Sequence, residues 1–201
     1  MKLYYVAGAC SLSPHILLHE LGLKAELERV DLSTKKTASG QDFLKINPKG
    51  YVPALELDSG EVLTEGVAIV SYLGSLKPEF GPKPGTLEFF RQLEWLTFIS
   101  SEIHKGFGAL FSAGSQPEAG TKGFEKLKPR LAFLNQHLQG KEYLLGQFSL
   151  PDAYLFTTLS WAGYLQLDLS GYPAVSAYLE RVGQRPAVKA AQEAEKELSP
   201  A

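Results

Sequence analysis

Leu3-Tyr4-Tyr5-Val6-Ala7-Gly8-Ala9-Cys10-Ser11-Leu12-Ser13-Pro14-His15 is the stretch whose reading decides the fold. Leu3 to Val6 concentrates the β-branched and aromatic residues that favour a strand, Ala7-Gly8-Ala9 interrupts it, and the serine–proline pair opens a helix. The one cysteine of the chain falls in this turn. A thiol there points toward the N-terminal end of the next helix, where N–H groups without intrahelical partners and the helix dipole favour negative charge. Thiolate chemistry is therefore expected at Cys10.

Working outward, Ser11 or Ser13 can cap the helix, Pro14 is tolerated in its first turn, Ile16, Leu17 and Leu21 share a face, and Gly22 stops it. Ala25 to Leu32 reads as a second strand, so the opening is a βαβ unit with parallel strands. Ser33 to Gly40, with Lys35 and Lys36, reads as a surface loop, followed by a short helix near Gln41 to Ile46 and a turn at Asn47-Pro48-Lys49-Gly50. Val52 to Leu57 and Glu61 to Leu63 flank Asp58-Ser59-Gly60 as a hairpin, with Pro53 at a strand entry or edge because it has no N–H to donate. Thr64-Glu65-Gly66 opens a helix that ends near Leu76.

Lys77 to Gly85 holds three prolines and two glycines in nine residues, which predicts a linker at 78–85 between a first domain, 1–77, and a second, 86–201. Beyond it the pattern turns helical: Thr86 to about Leu110, a loop at Gly114 to Gly120, then Gly123 to Gln139, Pro151 to Leu165, Pro173 to Val182 and Pro186 to Leu198. Ser149-Leu150-Pro151-Asp152 has the spacing of a capping box, which reads as a folding element.

Bulk properties narrow the function. With 201 residues and 44% hydrophobic content the chain can bury a core, and 20 Lys+Arg against 22 Asp+Glu, without a basic stripe, argues against nucleic acid. A single cysteine excludes an intramolecular disulfide and makes a reducing cytoplasm the default location. Met1 to Ala9 mimics a signal peptide, but its apolar stretch is short and doubles as a first strand. No run approaches the roughly 18 apolar residues of a membrane span. His15, His19 and His137 form no metal-ligand spacing with Cys10, so no metal is assigned.

The order of these elements, an α/β thioredoxin-like domain followed by an all-α helical domain, resembles the glutathione S-transferases, and the bacterial beta class most closely. The resemblance is carried by Gly8-Ala9-Cys10-Ser11, Asn47-Pro48-Lys49-Gly50 with Val52-Pro53-Ala54-Leu55, Leu63 to Ile69, Glu94-Trp95-Leu96, His104-Lys105-Gly106-Phe107 and Asp152 to Phe156, in consistent order. It implies glutathione as co-substrate, a small hydrophobic electrophile as its partner in a conjugation that serves detoxification, and a homodimer.

Residue by residue, the resemblance places Cys10 and Ser11 at the glutathione sulfur, with His104 reaching it from the helical domain. Tyr5 stands where other classes use a phenol on the thiolate, a role not usually central in the beta class. Val52, before a cis Pro53, would pair with the cysteinyl amides, and Glu65 with the γ-glutamyl ammonium. Gly66 would offer the γ-glutamyl carboxylate a backbone N–H where many relatives add a serine hydroxyl. Lys35 and Lys105 would share the glycine carboxylate, and Thr97 replaces an asparagine that reaches glutathione in the partner subunit. Phe107, Phe111, Trp161 and Tyr164 are candidates for an apolar electrophile wall, with core packing as the competing role of each. Serine at position 13 leaves no resolving cysteine, so a thiol-exchange activity would need a second glutathione. A one-thiol reductase and a non-catalytic ligand-binding or scaffold protein of the same fold are the alternatives.

Overall fold

The computed structural model describes residues 1–114 and 117–197. Strand β1 (Lys2–Tyr5) leads through the Cys10 turn into α1 (Leu12–Glu20) and then β2 (Glu26–Asp31), which pairs parallel with β1 from Lys2↔Glu26 to Tyr5↔Arg29. This is the expected βαβ unit. The polar segment read as a surface loop contains a two-residue edge strand, β3 (Lys36–Thr37), antiparallel to β2 through Val30↔Thr37. So short a strand leaves no periodicity in the sequence and forms because Val30 and Asp31 offer it backbone partners.

Helix α2 (Phe43–Ile46) is capped by Asp42, whose carboxylate accepts from Leu44 N–H at 3.0 Å. The hairpin follows as β4 (Ala54–Glu56) and β5 (Val62–Thr64), and α3 (Gly66–Ser75) closes this part. The five-stranded sheet runs β3-β2-β1-β4-β5, with β1 central and Leu3, Tyr4 and Tyr5 all buried. Tyr4 packs with Val30, Phe43, Val52 and Ala54 on one face. Tyr5 points to the other and meets α1 at His15, ring centroids 6.3 Å apart.

The helical part comprises α4 (Leu87–Phe98), a π-helical segment Ile99–His104 that continues it, α5 (Lys105–Ala113), α6 (Pro117–His137), α7 (Leu150–Tyr164) and α8 (Pro173–Gly183). Helix α6 starts inside the segment expected as a loop, because Pro117 suits a first helical position that needs no N–H donor. Ser115 and Gln116 of that loop lie outside the described residues. Helix α7 is buried nearly all round, as a central helix must be. Its Asp152 is fully buried and accepts from Ser149 N–H (2.9 Å), Ser149 Oγ (2.7 Å), Leu144 N–H (3.0 Å) and Tyr178 Oη (3.0 Å). The capping box is thus also a junction between α7, α8 and the preceding loop. No helix among the described residues is long and apolar enough to cross a membrane.

The last helix, α9 (Pro186–Glu197), departs from the expected 86–201 grouping; the Leu198 expected at its end lies outside the described residues. It packs on α1, and by its contacts it belongs with Met1–Lys83, while Pro84–Gln184 forms the other compact unit. Two polar contacts fasten it. Arg185 grips the Glu20 carboxylate with two donors, at 2.6 and 2.9 Å, and Glu195 meets His15 Nδ1 at 3.0 Å with both side chains at most 4% exposed. Linear sequence hides this because the partners lie 165 and 180 residues apart. Replacing Glu195 by Ala, which strips a buried partner from His15, is expected to lower unfolding stability by about 3–5 kcal/mol in urea titration. Glu195→Gln, which keeps two hydrogen-bonding atoms, should lose clearly less; equal losses would deny the pair its role.

Candidate functional site

The turn after β1 is closed by its own serine. Ser11 Oγ donates to Val6 C=O and accepts from Val6 N–H, both at 3.1 Å, and is fully buried, so the hydroxyl closes the loop behind Cys10 instead of capping α1. Gly8 takes the positive φ of 71° that the reversal requires, and its N–H donates to Glu195 at 2.8 Å. Cys10, partly exposed at the mouth of the turn, donates its thiol proton to Val52 C=O at 3.2 Å. Burial of the sulfur pushes this thiol up to about 11, outweighing the backbone N–H groups of Cys10 and Ser11, and the nearby Glu65 charge adds to the rise. Desolvation therefore overrides the helix-terminus argument that favoured a thiolate. Tyr5 is also withdrawn: it is fully buried, its hydroxyl has no hydrogen-bond partner among the described residues, and burial and then Glu195 raise its pKa.

Opposite Cys10 stands the segment 47–53. The Val52–Pro53 bond is cis, and both residues are buried. Asn47 organises the approach, donating through Nδ2 to Tyr51 C=O at 2.7 Å and accepting from Lys49 N–H at 3.1 Å, while Lys35 Nζ reaches Gly50 C=O at 2.8 Å. Glu65 precedes α3 with φ +73°, a conformation that costs a side-chain-bearing residue about 1–3 kcal/mol and concentrates at functional positions. Its exposed carboxylate accepts from Lys49 Nζ and Tyr51 Oη, and these bonds hold it below the ordinary carboxylate range. Cys10, Val52 and Glu65 thus line one region of the sheet domain, and Gly66 follows as the first residue of α3.

In the helical domain His104 ends the π-helical segment, a local distortion frequent at functional sites. Its Nδ1 lies 2.7 Å from Tyr154 Oη, its ring 4.9 Å from that of Trp161, and burial lowers its pKa, so it is neutral at pH 7. Phe107 and Phe111 meet the same Trp161 edge-on at 6.0 and 5.7 Å. Phe107 is fully buried, Phe111 half exposed and Tyr164 largely exposed, so only part of the expected aromatic wall is assembled; Thr97 and Lys105 are exposed. A cavity of about 780 Å³ opens elsewhere in this domain, lined by Trp95, Phe98, Phe133, His137, Leu144 and Leu145 among others, and none of the expected wall residues faces it.

With this geometry in place, the N-terminal domain model of the glutathione S-transferases matches residues 1–75 and the C-terminal domain model residues 93–186. The chain is 41% identical over 199 residues to the glutathione S-transferase GstA of Escherichia coli O157:H7, covering 97% of this chain and 98% of that protein. The chain belongs to the glutathione S-transferase family. Among solved structures it is similar to the bacterial beta-class transferase of Sphingomonas chungbukensis (46% identity, TM-score 0.92, 97% and 98% of the two chains). It is also similar to a sphingomonad transferase complexed with glutathione (45% identity, TM-score 0.93, 99% and 100%).

Within this transferase fold, Lys49, Tyr51, Tyr154 and Glu195 escaped the sequence reading although each touches a candidate residue or its turn. For Lys49 and Tyr51 a signal existed: they stand in the turn motif directly before Val52-Pro53. The raised Cys10 pKa has a direct readout, since no other thiol exists in the chain. A thiol with pKa near 11 is thiolate in only about 3 parts in 10,000 at pH 7.5, against about a tenth for an ordinary cysteine. Iodoacetamide alkylation of the ligand-free protein should be correspondingly slow at pH 7.5 and rise about tenfold per pH unit to pH 10. A rate that levels off below pH 9 would show a thiolate that burial has not suppressed.

Proposed function

We propose that this chain conjugates glutathione to small hydrophobic electrophiles, the glutathione thiolate attacking an electrophilic carbon to form a thioether while the leaving group departs with its electron pair. The observation that carries this reading is the convergence of Cys10, the Val52 backbone beside cis Pro53, and the Glu65 carboxylate in one domain. Glutathione needs each of them: a neighbour for sulfur, an edge for its amides and an anion for its ammonium. The sphingomonad relative that carries glutathione adds support.

In this reading glutathione supplies the nucleophile. Cys10, held protonated by burial, is an S–H donor beside it rather than a second thiolate. Ser11 keeps the Cys10 turn closed through Val6. We assign His104 the Nε2–H tautomer, with Nδ1 accepting from Tyr154 Oη 2.7 Å away, so that a neutral imidazole serves as the hydrogen-bond donor to the thiolate. Lys35 and Lys105 take the glycine carboxylate, Gly66 offers a backbone N–H to the γ-glutamyl carboxylate, and Phe111 forms the accessible part of the electrophile wall, backed by the buried Trp161. A cytoplasmic homodimer acting in detoxification, with Thr97 beside the partner's glutathione, completes the proposal.

Haloarene conjugation measured beside deglutathionylation of a mixed disulfide tests the assignment. Cys10→Ala should keep conjugation within about tenfold, the worth of one hydrogen bond, and lose any thiol exchange. If Cys10→Ala abolishes conjugation, the thiol has a larger part than donor. If the wild type neither binds immobilised glutathione nor conjugates, the transferase reading falls and a scaffold role stands in its place.

A further inference from the structure

The Glu65 carboxylate holds two donors from the preceding loop on one oxygen. Lys49 Nζ lies 2.5 Å and Tyr51 Oη 2.7 Å from Oε1. Lys49 also donates to Thr64 Oγ1 at 3.0 Å, so its ammonium lies across residues 64 and 65. The loop that delivers these side chains is braced by the Asn47 bonds to Lys49 and Tyr51 and by Lys35 on Gly50. A cation beside the start of a helix is disfavoured by the dipole, so Glu65 is what draws Lys49 there. Both side chains of the pair are about half exposed, 46% and 53%, and an ion pair so exposed to water opens at little cost.

A γ-glutamyl group carries an ammonium and a carboxylate on the same carbon. We propose that the Lys49–Glu65 ion pair is the receptor for that zwitterion: the ligand's ammonium takes Glu65, its carboxylate takes Lys49, and one internal pair is exchanged for two. The inference rests on the glutathione reading and adds Lys49 to it as a binding and specificity residue. Charge balances in both states, because a neutral pair receives a neutral head group. Tyr51 stays on Oε1 and orients the carboxylate, which leaves Oε2 to the incoming ammonium. The glycine at position 66 has no hydroxyl to give the ligand's carboxylate, and Lys49 supplies the side-chain contact that Gly66 cannot. A ligand with only one of the two charges leaves Lys49 or Glu65 without a partner, and that is the source of selectivity.

Calorimetric titration of wild type and Lys49→Met with two peptides tests this: glutathione, and its analogue in which 4-aminobutyryl replaces γ-glutamyl, so that the ammonium remains and the carboxylate is gone. Lys49→Met should weaken glutathione about three- to tenfold, the range of one partly exposed charge-assisted bond. The same variant should leave the analogue unchanged or bind it more tightly, because Lys49 then no longer competes for Glu65. Lys49→Arg should stay near wild type, and adding Gly66→Ser to Lys49→Met should recover glutathione affinity and none for the analogue. Equal weakening of both peptides would make Lys49 a mere support of Glu65 and overturn the proposal, as would glutathione binding unchanged or tightened by Lys49→Met. If the wild type binds neither peptide, the glutathione reading itself fails and this inference with it.

Discussion

The turn between β1 and α1 must bury its own backbone and still present a thiol, and the rest of the sheet domain is arranged around that requirement. Ser11 meets the first half by saturating both backbone groups of Val6, and Glu195 meets the second by holding Gly8 N–H from the far end of the chain. An unmet backbone group at such a depth would cost more than either contact contributes. Helix α9 is therefore part of the sheet domain in the physical sense. Its Glu195 carboxylate braces the turn, and Arg185, just before its first residue, anchors it to Glu20 of α1.

Protonation states around this turn are driven apart by environment. The Cys10 thiol is pushed up by desolvation, while Glu65 is held down by Lys49 and Tyr51. A neutral thiol and an ionised carboxylate are what a site needs when the ligand brings both the nucleophilic sulfur and an ammonium. In the helical domain burial keeps His104 neutral, with Tyr154 at one ring nitrogen and the Trp161 ring in an edge-type contact 4.9 Å away. Burial sets the states of Cys10 and His104, and named neighbours set that of Glu65.

The βαβ opening, the hairpin and the capped start of α7 were legible because their signals are local: a β-branched and aromatic run in Leu3 to Val6, Asp58-Ser59-Gly60 at a turn, Ser149 three residues before Asp152. Strand β3 was not legible, since two residues carry no period, and neither was the start of α6, where glycine and proline masked a helix. Of the candidate residues, Cys10, Val52 and Glu65 in the sheet domain and His104 in the helical domain could be named from motifs. Lys49 and Tyr51 stand in or beside the turn motif, but their partner Glu65, like the His104 partner of Tyr154, lies 14 to 50 residues away, and local pattern does not show such contacts.

By itself, the sequence determined the division into a sheet part and a helical part, because strand and helix periodicity and turn chemistry act over a few residues, and its ordered motifs carried the family resemblance from which the candidate site residues were named. Only the tertiary structure decided that Cys10 is a protonated donor, that Ser11 faces inward, that Tyr5 is core and that the last helix returns to the first domain. The reason is common to all four. Burial and long-range pairing set the free energy of a charge or a hydroxyl, and neither is a property of the residue's neighbours in the chain.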